Sequence, residues 1–113
     1  MEFERLKVWQ RSKVLAVDVF KGLEPCRDFG FRDQVRRSVL SVPSNIAEGM
    51  ERRGSREKAQ FLWIAKASCG ELRTQLLIGL ELGYLADEPG RQWITETREL
   101  SKMLAGLIKA ISD

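Results

Sequence analysis

Residues 55–85 read SREKAQFLWIAKASCGELRTQLLIGLELGYL, and their spacing decides the fold. At 100° per residue, Phe61, Leu62, Ala65, Cys69, Leu72, Leu76, Gly79, Leu80 and Gly83 fall on one face. The breakers inside the run are single glycines, Gly70 and Gly79, each costing about 1 kcal/mol relative to alanine. The pattern therefore predicts one long helix reaching about Leu85. Ser55 offers an N-cap, and Glu57 stands in the first turn, where a carboxylate meets the positive end of the helix dipole. A second apolar line, Ile64, Ala67, Ile78, Leu82 and Leu85, runs along the same helix, interrupted by Glu71 and Thr74, while Trp63 and Leu77 take the remaining side. A helix in a single bundle buries one stripe, so one that is apolar on two sides needs a second partner. Burying the five residues against another copy would contribute on the order of 5–10 kcal/mol before entropy losses. The expectation is an oligomer with Ile64, Ala67, Glu71, Ile78, Leu82 and Leu85 at its interface, Glu71 fixing the register because an unpaired carboxylate there is costly.

The flanking segments carry the same period. Val8/Trp9, Ser12, Leu15/Ala16, Val19/Phe20 and Leu23 mark a first helix of about 18 residues, ended by Gly22, Pro25 and Gly30. A second helix starts near Phe31 and places Phe31, Val35, Val39, Val42, Ile46 and Met50 on one side, with Gly49 and Gly54 around its end. Asp87 is a candidate cap for a fourth helix that tolerates Pro89 in its first turn and carries Trp93/Ile94, Thr97, Leu100, Leu104, Leu107/Ile108 and Ile111 as its stripe. No period-two run is bounded by hairpin turns. Residues 1–113 thus form one all-α domain, an up-down-up-down antiparallel four-helix bundle with short connections. Pro43 is the local conflict. It removes the hydrogen bond to the Val39 carbonyl and disfavours helical angles at Val42, so the second helix either kinks there or stops and restarts with Ser44 as cap.

Composition narrows the function. The 113 residues are 43% apolar and 31% charged, the balance of a globular domain. There is no histidine, which excludes Ser-His-Asp and Cys-His nucleophile systems and imidazole metal sites. Carboxylates are scattered singly, so no catalytic residue, metal site, cofactor or small-molecule substrate is expected, and the chain reads as a non-enzyme. Two distant cysteines, Cys26 and Cys69, make no disulfide framework, which points to a reducing, cytoplasmic setting. Neither a signal-like N-terminus nor a membrane-length apolar run is present.

The net charge of +3 is uneven. Residues 1–58 hold 13 basic and 9 acidic side chains, whereas residues 59–113 hold 6 and 7. The densest clusters are Arg36-Arg37 and Arg52-Arg53 with Arg56 and Lys58, candidate phosphate contacts that an oligomer would repeat around its axis. Nearby acids, Asp33, Glu48, Glu51 and Glu57, favour the plainer reading of a solvated mixed face, and no nucleic-acid-binding motif or phosphate loop accompanies the clusters.

Four stretches carry a family likeness. They are Phe3-x-x-Leu6-x-Val8-Trp9-Gln10, the block Gln34 to Gly49 (QVRRSVLSVPSNIAEG), Phe61-Leu62-x-Ile64-Ala65, and Leu82-Gly83-Tyr84-Leu85. Together they resemble the four helix bundle protein family, which includes proteins encoded in intervening sequences of bacterial 23S ribosomal RNA genes. The resemblance implies a bacterial four-helix bundle assembled as a ring-shaped homopentamer. The related accessory proteins of diversity-generating retroelements build a more basic pentameric barrel that binds nucleic acid and a reverse transcriptase. Family members carry Thr or Ser near the start of the second helix where this chain has Arg32, which leaves that cap unassigned. The expected partner is the chain itself, with RNA or a ribonucleoprotein next; the competing expectation is a protein-interaction scaffold without nucleic-acid binding.

Overall fold

The computed structural model describes residues 2–112. After a 3-10 turn, Phe3–Arg5, come four helices: α1 Lys7–Gly22, α2 Phe29–Met50, α3 Ser55–Glu81 and α4 Asp87–Ser112. No strand occurs among the described residues. The helices pack in cyclic order, α2 on α3 and α3 on α4 along their lengths, with α1 bridging α2 and α4 less extensively. Connections of only a few residues make sequential neighbours antiparallel. The resulting rod measures 43 × 20 × 19 Å, its long axis set by α3 and α4 at about 1.5 Å per residue. No described helix is long and apolar enough to cross a membrane.

The core is the stripe expected from the spacing, except that Phe61 and Leu80 are only half-buried and Gly83 is exposed in the turn after α3. Val35, Val39 and Ile46 of α2, Leu62, Leu72 and Leu76 of α3, and Leu100 and Leu104 of α4 are fully enclosed. Thr97, also enclosed, donates to the Ile94 carbonyl at 2.6 Å and accepts from Arg73 Nε at 3.0 Å, so its hydroxyl leaves no unmet polar demand.

Helix ends depart from the expected positions for identifiable reasons. Helix α1 has 16 residues, and α2 starts two residues before Phe31 because Asp28 caps it, its Oδ1 accepting from the Phe31 N–H at 3.0 Å. Gly54, rather than Ser55, is the N-cap of α3, and Ser55 is its first helical residue. Asp87 likewise lies inside α4, where it accepts from Arg91 Nε one turn on, while the Gly90 N–H bonds to the Ala86 carbonyl. Helix α3 ends at Glu81, four residues before Leu85. Gly83 takes φ of +74°, its N–H bonding to Leu80 at 3.1 Å, and the Tyr84 N–H bonds to Gly79 at 2.9 Å. These are the paired bonds of a Schellman termination, which a left-handed glycine permits.

Helix α2 runs through Pro43 without stopping, so there is no restart at Ser44. Polar side chains line its α3 edge at this point. Asn45 Nδ2 donates to the Ser41 carbonyl at 2.8 Å, and the Ser41 and Ser68 hydroxyls pair at 2.8 Å across the α2–α3 seam. Close approach follows at the end of the helix: a methyl group at Gly49 would lie 2.9 Å from Phe61 Cβ and 3.1 Å from the Lys58 carbonyl.

Candidate interaction surfaces

The six candidate phosphate contacts separate into two places and two conditions. Arg36 and Arg37 lie on α2, whereas Arg52, Arg53, Arg56 and Lys58 gather where α2 turns into α3, about 20 Å further along the helix axis. Arg36 is committed within the chain: its Nη2 donates to the Phe20 carbonyl at 2.6 Å and to Glu24 at 3.0 Å, and its guanidinium lies over the Phe20 ring. Arg52 pairs with Glu48 at 2.8 Å and covers the ring of Phe61. Lys58 Nζ donates to the Met50 carbonyl at 3.0 Å, satisfying the C-terminal end of α2. Arg37, Arg53 and Arg56 are exposed to solvent. Sequence spacing shows charge density, but not which cations are already held by carbonyls and carboxylates.

The apolar line on α3 is open at three large side chains: Ile64, Ile78 and Leu82 are 48%, 47% and 56% exposed. Ala67 and Glu71 between them are also exposed. Glu71 is anchored at the α2 side, accepting from the Ser38 hydroxyl at 3.0 Å. Leu85 does not extend this line. It is 8% exposed, because α3 has already ended and the turn at Gly83 folds the chain back over Gly79. Trp63 is exposed on the side toward α4, with Lys66 Nζ over its ring.

A second apolar surface was not expected. Val17 and Phe20 of α1 and Leu40 of α2 are exposed beside Pro43, and together with Ala16 they line a shallow groove of about 410 Å³ whose rim carries Lys13 and Lys21. Phe20, read as a core residue of α1, stands on this groove instead. Its signal in the sequence was Val14 and Val17, apolar residues off the α1 stripe, with Leu40 beside the buried Val39.

Both cysteines are free thiols inside the bundle. Burial pushes the Cys69 thiol up to about 11, against small opposing effects of Ser101, Arg73 and Lys66, so it stays protonated and inert near neutral pH.

These features define a small helical bundle with two open apolar faces and a basic turn. The chain belongs to the 23S rRNA-intervening sequence protein family, whose sequence profile matches residues 4–106. It is similar in structure to a protein of unknown function from the S23 ribosomal protein family of Bacteroides thetaiotaomicron, at 25% sequence identity and a TM-score of 0.83, over 90% of this chain and 98% of that one. No functionally curated protein matches the sequence.

Proposed function

We propose that this protein is a non-enzymatic, homo-oligomeric helical module that presents its basic turn to RNA. The observation that carries the reading is the open line Ile64–Ile78–Leu82 on α3, a helix whose other face already fills the core. With Leu85 inside the bundle and the remaining large side chains about half covered, this line contributes roughly 2–4 kcal/mol per copy, less than its sequence suggested. The surface it meets contributes as much again, a gain of the same order as the cost of association, so the oligomer should depend on concentration. A ring of five is the assembly that the family resemblance implies.

The nucleic-acid part rests on Arg53 and Arg56, exposed cations at the α2–α3 turn that assembly repeats once per copy. The family's name, which refers to a sequence intervening in 23S rRNA, makes RNA the first ligand to test. Single-stranded RNA should bind with an affinity that falls as salt rises, at a slope of roughly −0.7 per phosphate neutralised. Replacing Arg53 and Arg56 by Ala should flatten that slope and leave the oligomer intact. Arg36→Ala should leave the slope unchanged, since that guanidinium serves Phe20 and Glu24. Absence of RNA binding at low salt would contradict this part and favour the protein scaffold.

A further inference from the structure

We propose that the oligomer assembles head to tail: the α1–α2 groove of one copy receives the α3 line of the next. The inference rests on the self-association reading and adds which surface meets which.

Shape comes first. The groove between Val17, Phe20, Leu40 and Pro43 is concave, whereas Ile64, Ile78 and Leu82 project from the outside of a single helix. Ridge into groove is the way helical surfaces pack, so each face fits the other better than it fits a copy of itself.

Charge points the same way. Lys13 and Lys21 border the groove. Between Ile64 and Leu82 the acidic side chains on the open side of α3 are Glu71 and Glu81, while of the two cations of this stretch Arg73 bonds to Thr97 and Ser101 of α4 and Lys66 lies over the ring of Trp63. Groove against line thus sets lysines opposite glutamates. A two-fold contact of line on line would bring Glu71, near the centre of the line, toward its own copy, and groove on groove would set the lysines Lys13 and Lys21 against each other while leaving a void.

The line borders α2 on one flank, where Ser38 and Ser41 bond to Glu71 and Ser68, and the groove lies on the other flank, toward α1. The two faces are therefore neither coincident nor opposite. Each head-to-tail step turns, and a series of turning steps closes into a ring when the rotation divides a full circle and otherwise runs on as an open helix.

The test uses two full-length variants that each spoil one face at an exposed position, Ile78→Glu on the line and Leu40→Glu on the groove, with circular dichroism melts to show that both fold. Each alone should sediment as a monomer. Mixed in equal amounts, they should form a 1:1 dimer and nothing larger, because one supplies an intact groove and the other an intact line. If either variant melts abnormally, Leu82→Asp and Val17→Asp provide the same pair of lesions. A mixture that stays monomeric while the wild-type chain is oligomeric would overturn the head-to-tail pairing and leave self-association standing. A wild-type chain that is itself monomeric would overturn the reading beneath it.

Discussion

At the level of single residues, two positions show how tightly side-chain chemistry fixes this backbone. Gly49 lies where the end of α2 meets the start of α3, and a methyl group there would press on Phe61 and on the backbone carbonyl of Lys58. Gly49→Ala should therefore destabilise the fold by about 1–3 kcal/mol despite the better helix propensity of alanine, as read by chemical denaturation. Asp28 caps α2 through the Phe31 N–H and also accepts the Tyr84 hydroxyl at 3.0 Å, tying the α1–α2 connection to the turn after α3. These two bonds, the Phe31 N–H first, hold its carboxyl below the ordinary range, and Asp28 in turn holds the Tyr84 hydroxyl above its own. A carboxylate with a depressed native value contributes stability that is full above the unfolded value of about 3.9 and is lost as pH falls through the native value. The stability difference between wild type and Asp28→Ala should accordingly be constant near neutral pH and narrow below about pH 4. A difference independent of pH down to strong acid would contradict the assignment.

Among the elements, α1 is the least embedded. It touches α2 and α4 along part of its length, and one of its ties is Arg11, whose guanidinium is forked onto Glu96 of α4 with Nε at 2.9 Å. Both partners are partly open to solvent, so the pair is worth no more than about 1 kcal/mol. Amide hydrogen exchange should find α1 opening before α3, and Arg11→Ala should speed exchange in α1 while leaving the centre of α3 unchanged. Uniform protection across all four helices would contradict this order. The helices themselves were legible because Leu62, Leu72, Leu76, Leu100 and Leu104 repeat at the period of a buried stripe, a signal set by geometry alone. Their ends were less legible. Asp28 works as a cap only once the chain has turned at Pro25, and Leu85 continues the apolar spacing of α3 after Gly83 has already redirected the backbone. The candidate site divides in the same way. Ile64, Ile78 and Leu82 could be read from periodicity, whereas the groove under Phe20 and Leu40 is made by two helices and has no signature in either one alone. The commitment of Arg36 to the Phe20 carbonyl is equally a tertiary fact, hidden in a sequence that shows only two adjacent arginines.

The whole molecule carries an imbalance. The bundle closes a complete core among its four helices, yet leaves the large apolar side chains on the outside of α3 about half exposed and an apolar groove open beside α1. Monomers seldom carry two such surfaces without use for them. The modest +3 of one chain becomes a repeated field once copies surround an axis, which is why assembly precedes any nucleic-acid binding in this scheme. The most direct test of the central claim is the mass of the wild-type chain in solution, measured by sedimentation equilibrium across micromolar concentrations. The account predicts a multiple of 12.9 kDa, with five copies as the specific expectation, and conversion to a folded single chain by Ile78→Glu. A wild-type mass of 12.9 kDa throughout that range would contradict it.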